Sequence, residues 1–255
     1  MINANLLEAS GVTKTFSGIV ALDNVGLDVA EGEKVGLIGP NGAGKTTFFN
    51  CLLGLLRPDR GRVVFDGKDL TRIPTHRRAR LGIGRTFQRI ELFAGMTARE
   101  HLLVAERARR GDGALWKDLL GMGRPKRDEL ERVQATMDLL GLNADADRPI
   151  EALSLGRGRI VEVGRALMTE PRLLLLDEPS SGLDHRETAE LADVLRLVNR
   201  ERGTAILLVE HDVEMVTQLV ERVFVLDFGT VIASGPTQEV FADANVRRAY
   251  IGDVV

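Results

Sequence analysis

One glycine-rich segment constrains the possible fold of this chain more than any other feature. It reads Gly39-Pro40-Asn41-Gly42-Ala43-Gly44-Lys45-Thr46 and joins a short apolar segment, 34–38, to a segment of helical period, 45–56. Glycines allow successive backbone N–H groups to turn toward an anion, and the N-terminus of a following helix adds a favourable dipole. A strand, a glycine loop and a helix in direct succession therefore predict a phosphate-binding loop in an α/β protein.

The residue types in this loop predict how it would hold a nucleotide. Lys45 is expected to reach the β and γ phosphates, Thr46 to supply a hydroxyl to Mg²⁺, and Thr47 a hydroxyl near the α phosphate. The alternative is an ordinary glycine turn before a helix, a pattern that arises by chance in roughly 1% of chains of this length. The residues expected to contact the nucleotide are Gly39, Pro40, Asn41, Gly42, Ala43, Gly44, Lys45, Thr46 and Thr47.

A second apolar segment, 173–176, ends in two adjacent carboxylates, Asp177 and Glu178. The carboxyl ends of parallel strands are the positions at which an α/β sheet presents its ligand-binding residues. We therefore expect Asp177 to bind Mg²⁺ and Glu178 to act as the general base that polarises an attacking water, a role worth on the order of 10²- to 10⁴-fold in rate. The alternative is a strand that simply ends in two solvated carboxylates.

The rest of the chain indicates an α/β core interrupted by a helical segment. Short apolar runs at 173–177, 205–209 and 222–227 have the length of buried parallel strands. Residues 97–147 differ, because they are charged, helical in period and broken by a Gly/Pro-rich stretch. We predict a nucleotide-binding core at 1–89 and 165–236 that includes an N-terminal antiparallel β subdomain, a helical subdomain at 90–164, and a helical tail at 237–255.

Composition disfavours several classes of protein. Lys and Arg total 34 against 37 Asp and Glu, a net charge of -3, which argues against a globally basic nucleic-acid-binding protein. Cys51 is the single cysteine, so neither an internal disulfide nor a cysteine-based zinc framework is expected. No apolar run has the length of a membrane span, and the first ten residues lack a secretion signal. We expect a cytoplasmic protein that binds its polyanion locally and binds no nucleic acid.

These motifs together resemble the nucleotide-binding subunits of ATP-binding cassette (ABC) transporters, over almost the whole chain. The segment Leu153-Ser154-Leu155-Gly156-Arg157 resembles the signature motif of that family. In the family, the signature serine and glycine of one subunit meet the γ phosphate held by the glycine loop of another. The resemblance implies that Ser154 and Gly156 serve the ATP site of a second ATPase subunit, identical or paralogous.

The same resemblance assigns four further residues. Gln88 matches the glutamine loop, which senses Mg²⁺ and water and faces the membrane partner, and His211 matches the γ-phosphate histidine. Asp184 matches the loop after the carboxylates, and Phe16 matches the aromatic residue that stacks on adenine. The alternatives are a solvated amide, a satisfied polar histidine, a helix N-cap and a core phenylalanine, respectively; for Asp184 the N-cap and the motif role are compatible. The residues expected to take part in catalysis are Lys45, Gln88, Glu178 and His211; those expected to bind Mg²⁺ are Thr46, Gln88 and Asp177.

The signature segment departs from the usual Leu-Ser-Gly-Gly-Gln of the family at Leu155 and Arg157. One hypothesis is that Arg157 adds positive potential near the γ phosphate of the partner. The alternative is a solvated arginine near the start of a helix predicted at 159–168. The fold that the resemblance implies is a P-loop ATPase core with a mainly parallel sheet, a small antiparallel β subdomain and an inserted α-helical subdomain.

Three less specific segments, 81–88, 109–125 and 249–252, resemble the ATPases of branched-chain amino acid importers, and related urea or amide importers share much of them. The resemblance implies ATP hydrolysis at the inner face of the cell membrane, coupled to integral membrane permease subunits and indirectly to a solute-binding protein. One alternative is a soluble ABC ATPase that acts on nucleic acid, ribosomes or cluster assembly. Another is a P-loop kinase or GTPase, which the signature segment disfavours.

Overall fold

A computed structural model of the chain describes residues 5–86, 92–110, 125–244 and 246. The strands in these residues are β1 (Asn5–Phe16), β2 (Ile19–Ala30), β3 (Lys34–Ile38), β4 (Arg60–Phe65), β5 (Lys68–Asp69), β6 (Ile83–Arg85), β7 (Leu173–Asp177), β8 (Ala205–Glu210), β9 (Arg222–Asp227) and β10 (Thr230–Pro236). The α-helices are α1 (Lys45–Leu53), α2 (Thr75–Arg80), α3 (Ala98–Arg110), α4 (Arg127–Leu139), α5 (Leu155–Leu167), α6 (His185–Arg202), α7 (Val213–Leu219) and α8 (Thr237–Ala242). Two short 3₁₀ turns lie at Asn143–Asp145 and Ile150–Ala152.

The larger of two sheets has six strands in the order β10-β9-β3-β8-β7-β6. Neighbouring strands are parallel except at the edge, where β10 pairs antiparallel with β9. Alternate residues of β7 enter different cores: Leu174 and Leu176 pack in one cluster, and Leu173 and Leu175 in the other. Because both faces of the sheet are covered, its strands are continuous apolar runs. The predicted α/β class and mainly parallel sheet are confirmed.

The smaller sheet is antiparallel, with four strands in the order β2-β1-β4-β5. It shares a hydrophobic cluster with α1 and with one face of the larger sheet. The turn between β9 and β10 connects this sheet to the loop after β3, because the Gly229 N–H donates to the Ala43 carbonyl at 2.9 Å and the Asp23 N–H donates to the Gly229 carbonyl at 2.8 Å. The small antiparallel sheet expected near the N-terminus is therefore present.

The helical region between the two parts of the core includes α3, α4 and α5, which pack together. Arg107 of α3 and Glu129 of α4 form a buried ion pair at 3.4 Å. The predicted domain limits stay predictions; the limit at 164 falls inside α5, which continues to Leu167. In the described part of the chain no helix is both long and apolar enough to cross a membrane.

Two predicted helix boundaries were wrong. The helix after the glycine loop was expected to reach residue 56 but ends at Leu53, because Gly54 has a φ of 77° and takes the left-handed conformation that closes a helix. The helix of the signature segment was expected to start at residue 159 but begins at Leu155, because Ser154 caps it.

A buried arginine of α2 holds the C-terminal end of α1. Arg78 is 1% exposed, and its guanidinium donates to the carbonyl oxygens of Leu52 at 2.6 Å, Cys51 at 2.9 Å and Ile73 at 2.7 Å. Burial lowers the pKa of Arg78 to about 10. The last carbonyls of a helix have no partners within the helix, so the guanidinium supplies the hydrogen bonds that water would otherwise make.

We expect Arg78→Lys to lower the free energy of unfolding by about 2–3 kcal/mol, because an ammonium group cannot reach carbonyls spread around a planar fork. The measurement is chemical denaturation followed by circular dichroism. The control is Arg77→Lys, which makes the same change at an exposed neighbour and should alter stability by no more than about 0.5 kcal/mol. Equal stability of the two variants would contradict this role for Arg78.

Candidate nucleotide-binding site

Four adjacent parallel strands bring the glycine loop, the carboxylate pair and His211 to one edge of the larger sheet. The strands β3, β8, β7 and β6 are neighbours in that order, so their carboxyl ends lie side by side. Gly39 follows β3, Glu210 ends β8 and precedes His211, Asp177 ends β7, and Arg85 ends β6. Ligands of open α/β sheets bind at this edge. The topology therefore joins segments that are far apart along the chain.

The glycine loop has a backbone path that only glycine can follow at two positions. Gly39 has a φ of 154°, and a Cβ there would lie 2.1 Å from the Leu226 carbonyl oxygen. Gly44, which caps α1, has a φ of 104°, and a Cβ there would lie 2.7 Å from the Ala21 carbonyl oxygen. Neither contact can accept a side chain, since the obstructing atoms belong to the backbone.

The ammonium group of Lys45 lies inside the loop and binds its first two residues. Its Nζ donates to the carbonyl oxygens of Gly39 at 2.7 Å and Pro40 at 3.0 Å. Burial lowers the pKa of Lys45, and the carboxylates of Glu178 and Asp177 oppose that shift. A buried ammonium at the start of a helix is a strong binding group for phosphate oxygens, whose negative charge the loop and the helix dipole also favour.

The two carboxylates at the end of β7 have different environments. Burial raises the pKa of Asp177 to about 6, and the neighbouring charges of Glu178 and Glu210 contribute to the rise. Glu178 has a φ of 45°, an uncommon conformation for this residue type, and its N–H donates to the Val209 carbonyl at 2.8 Å. Strained backbone of this kind is found at functional sites, where the surrounding structure holds it. His211 Nδ1 lies 3.7 Å from Glu178 Oε1.

The sequence interpretation missed Glu210, which organises the loops around this cluster. Its side chain is fully buried and accepts hydrogen bonds from the Ser180 N–H at 2.9 Å, the Ser180 hydroxyl at 2.6 Å, the His211 N–H at 3.0 Å and the Asp212 N–H at 3.3 Å. The carboxylate thus ties the loop after β7 to the loop after β8. A carboxylate at the end of an otherwise apolar strand, directly before His211, was the available sequence signal.

The residues present at this edge fit a magnesium ion held with a nucleotide. Among the described residues, no group of three His, Cys, Asp or Glu side chains is arranged as a metal site. The protein ligands available are therefore few oxygen donors, the exposed hydroxyl of Thr46 and the Asp177 carboxylate. Mg²⁺ suits such a site, because it prefers oxygen and takes most of its ligands from phosphates and water. Burial, and after it the charges of Glu178 and Glu210, raises the pKa of Asp177, and a bound cation would oppose that rise by favouring the carboxylate.

Two residues were expected near the nucleotide, Phe16 beside adenine and Gln88 beside the attacking water, and the structure describes the first of them. The Phe16 ring is 42% exposed and lies 5.4 Å from Lys14 Nζ, so it is not a core phenylalanine. Its role in stacking stays a prediction. Gln88 lies outside the described residues, and its assignment also stays a prediction.

The signature residues lie at the N-terminus of α5, beside the N-terminus of α6. Ser154 caps α5 and accepts a hydrogen bond from the Arg157 N–H at 3.3 Å. The Gly156 N–H donates to Glu187 Oε1 of α6 at 3.1 Å. Asp184 caps α6 and accepts from the Glu187 N–H at 2.8 Å, which confirms the N-cap interpretation of Asp184. Contacts of these residues with a second subunit stay predictions.

Arg157 fits neither sequence hypothesis well. Its guanidinium donates to Asp145 Oδ2 at 2.7 Å, Glu190 Oε1 at 2.8 Å and the Gly141 carbonyl at 2.6 Å. Two carboxylates of the same chain therefore meet its charge, which disfavours a free positive potential at a neighbouring phosphate. The side chain is only 21% exposed, which disfavours a solvated arginine. The side chain instead connects α5 to α6 and to the 3₁₀ turn after α4.

A glycine loop with an internal lysine, placed beside carboxylates at the ends of parallel strands, defines a P-loop nucleoside triphosphatase. Residues 22–181 match the family described as ABC transporter. The chain belongs to this family, as one of its nucleotide-binding ATPase subunits. This membership disfavours the P-loop kinase and GTPase interpretations.

Relatives and solved structures agree with this assignment. The chain is 39% identical over 251 residues to the high-affinity branched-chain amino acid transport ATP-binding protein LivG of Salmonella typhimurium, covering 97% of this chain and 98% of LivG. The ADP conformation of MJ1267, an ATP-binding cassette of an ABC transporter, matches with a TM-score of 0.83 at 31% identity, over 98% of this chain and 100% of that one. A dimeric post-hydrolysis state of the cassette MJ0796, bound to ADP and Pi, matches with a TM-score of 0.72 at 26% identity, over 91% of this chain and 98% of that one. The predicted ABC ATPase fold is confirmed.

We expect Arg157→Gln to lower the free energy of unfolding by about 1–2 kcal/mol while leaving the affinity of the isolated chain for ATP unchanged. The physical reason is the loss of the ion pairs to Asp145 and Glu190, neither of which lies at the glycine loop. Denaturation and equilibrium binding of a fluorescent ATP analogue are the measurements. The matched control is Arg186→Gln, at an exposed position of α6. Wild-type stability combined with weaker ATP binding would contradict the pairing role.

Proposed function

We propose that the chain hydrolyses ATP to energise the import of branched-chain amino acids, or of related small amide or urea solutes, through separate membrane permease subunits. The observation that carries the proposal is the 39% identity to LivG over 97% of the chain, which includes the glycine loop, the carboxylate pair and the signature segment. No observation favours the alternative of a soluble ATPase that acts on nucleic acid, ribosomes or cluster assembly. The proposed location is the inner face of the cell membrane, against the permeases.

The proposed binding mode places the triphosphate of ATP in the glycine loop. Backbone N–H groups of the loop and Lys45 Nζ hold the β and γ phosphates, and Phe16 stacks on adenine. Thr46 and Asp177 would hold Mg²⁺, with Gln88 as a further ligand. The ion, when bound, supplies charge neutralisation on the phosphate oxygens. This mode is supported by the position of Lys45, whose ammonium already lies inside the loop at 2.7 Å from the Gly39 carbonyl.

In the proposed hydrolysis step, the water oxygen bonds to the γ phosphorus while the bond from that phosphorus to the β–γ bridging oxygen breaks, and ADP leaves. The Glu178 carboxylate accepts the proton of the water, and His211 contacts the γ phosphate. The support is geometric. Glu178 directly follows Asp177, the last residue of β7, and His211 Nδ1 is 3.7 Å from the Glu178 carboxylate. Glu210 keeps both loops in place without contacting ATP, because its carboxylate oxygens accept hydrogen bonds from Ser180, His211 and Asp212. Glu210 is a positioning residue in this proposal.

The proposed working unit is a pair of ATPase subunits, identical or paralogous, with ATP held between the glycine loop of one and the signature segment of the other. Ser154 and Gly156 would face the γ phosphate of the partner. ATP binding closes the pair, and hydrolysis releases it, so the permeases change accessibility; ATP supplies only the energy of its differential affinity for the closed state. A solute-binding protein acts on the permease side. The dimeric, ADP- and Pi-bound MJ0796 cassette supports pairing as a property of similar proteins.

We expect Glu178→Gln to bind ATP with wild-type affinity, to lose at least about 100-fold in hydrolysis rate, and to form an ATP-dependent dimer. The amide preserves the shape of the side chain but cannot accept the proton. Phosphate release and size-exclusion chromatography with and without ATP are the measurements. The control is Glu201→Gln, an exposed position near the end of α6. Wild-type turnover in Glu178→Gln would show that another group is the base.

The solute assignment has its own test. In cells that lack the gene, we expect uptake of labelled leucine at low concentration to fall about tenfold or more, and expression of the wild-type chain to restore it, because transport without ATP hydrolysis cannot run against a gradient. Expression of Glu178→Gln should not restore uptake. Labelled urea, measured in parallel, separates the two solute classes. Unchanged leucine uptake with lost urea uptake would assign the related importers instead.

A further inference from the structure

In the proposed closed pair, one backbone N–H of the signature segment would donate a hydrogen bond to the ATP of the partner subunit. In the single chain, that N–H donates to a carboxylate of its own chain. The Gly156 N–H, in the first turn of α5, donates to Glu187 Oε1 at 3.1 Å. Glu187 lies on α6, 31 residues further along the chain. A carboxylate of the same chain therefore occupies a position at the positive end of α5, where an anion is favoured.

The contact is close along the whole side chain of Glu187. A Cβ at Gly156 would lie 2.9 Å from Glu187 Cβ, 2.9 Å from its Cγ and 3.0 Å from its Cδ. Glycine at position 156 thus allows the carboxylate to approach the helix end. The second oxygen of the same carboxylate is turned toward the Asp184 N–H at 3.5 Å, in the capping box of α6. One carboxylate serves the N-termini of two helices.

A carboxylate and a γ phosphate cannot share the Gly156 N–H. Both are anions, and at hydrogen-bonding separation their repulsion in a partly buried site is several times that in water. Arg157 does not offset it, because its guanidinium is bound to Asp145 and Glu190. The Glu187 side chain therefore has to leave the N–H before a phosphate from another subunit can use it.

We propose that Glu187 is an internal competitor for the ATP of the partner subunit: its carboxylate holds the Gly156 N–H in the unpaired chain, and ATP-driven pairing displaces it. This inference rests on the proposed pairing at the signature segment. Glu187 would thus change how readily two subunits pair without changing how tightly the glycine loop binds ATP. The carboxylate raises the ATP concentration at which two subunits close.

The test uses the full chain in the Glu178→Gln background, so that hydrolysis does not deplete the paired state. Glu187→Gln removes the charge and retains an acceptor for the capping box, which tolerates glutamine at this position. We expect the ATP concentration at half-maximal dimer formation to fall about threefold to tenfold, because a neutral acceptor holds the N–H less strongly than a carboxylate does. Analytical ultracentrifugation over an ATP series is the measurement.

A matched control makes the same charge change elsewhere on α6. Asp193→Asn removes a carboxylate that pairs with Arg196 on its own helix, and it should leave the midpoint unchanged. Binding of a fluorescent ATP analogue to the single chain should be the same in all variants, because Glu187 is not part of the glycine loop. Thermal denaturation checks that Glu187→Gln remains folded; Glu187→Ala, which removes the acceptor altogether, should shift the midpoint in the same direction.

The outcomes separate the two proposals. A lower midpoint in Glu187→Gln, with unchanged binding to the single chain, supports the competitor role. An unchanged or higher midpoint overturns it, and a higher one means that the carboxylate instead holds the signature turn in its working geometry. If Glu178→Gln binds ATP but no variant associates, then identical copies do not pair and the competitor role in such a pair is overturned, whereas ATP binding by the glycine loop and the proposed transport function stand. Association only after removal of the Glu187 charge would support the role most directly.

Discussion

The close approach of two backbones, at Gly39 and Leu226, determines where the nucleotide site can form. A Cβ at position 39 would lie 2.1 Å from the Leu226 carbonyl oxygen of β9. The chain can therefore pass from β3 into the loop only through a glycine at this position. This path turns the loop back over its own start, where Lys45 Nζ binds the Gly39 and Pro40 carbonyls. The hydrogen bonds of Lys45 and the backbone constraint at Gly39 thus restrict the conformations open to the loop, which reduces the ordering cost of binding a nucleotide.

The sequence predicted those parts of the molecule in which local order along the chain determines structure. Apolar runs of strand length, such as 173–176, indicated a buried parallel sheet, and the strand–loop–helix order around Gly39 indicated its ligand edge. Asp184 was recognised as a possible N-cap because capping depends only on the next few residues. Helix limits were less accurate at Gly54 and Ser154, since one positive φ or one side-chain hydrogen bond moves an end by several residues.

Contacts between distant segments could not be predicted in this way. The carboxylate of Glu210, at the end of β8, accepts a hydrogen bond from Ser180, which follows β7. In the same way, Gly156 of α5 donates to Glu187 of α6, and Arg78 of α2 donates to carbonyls of α1. Each contact depends on how separate helices and strands pack together, which the order of residues along one sequence does not show. Arg157 is the clearest case, because its position in the motif indicated a phosphate nearby, whereas the fold supplies two carboxylates of its own. Charge in a motif has to be read together with the charges that the fold brings to it.

The turn at Gly229 has a consequence for which molecules the site can accept. Its amide binds the Ala43 carbonyl of the glycine loop, and its carbonyl binds the Asp23 amide of β2. One residue therefore links the phosphate loop to the β1–β2 hairpin that carries Phe16. If Phe16 stacks on the base as proposed, a nucleotide can make both contacts only when the distance from its base to its γ phosphate matches the separation of these two linked elements.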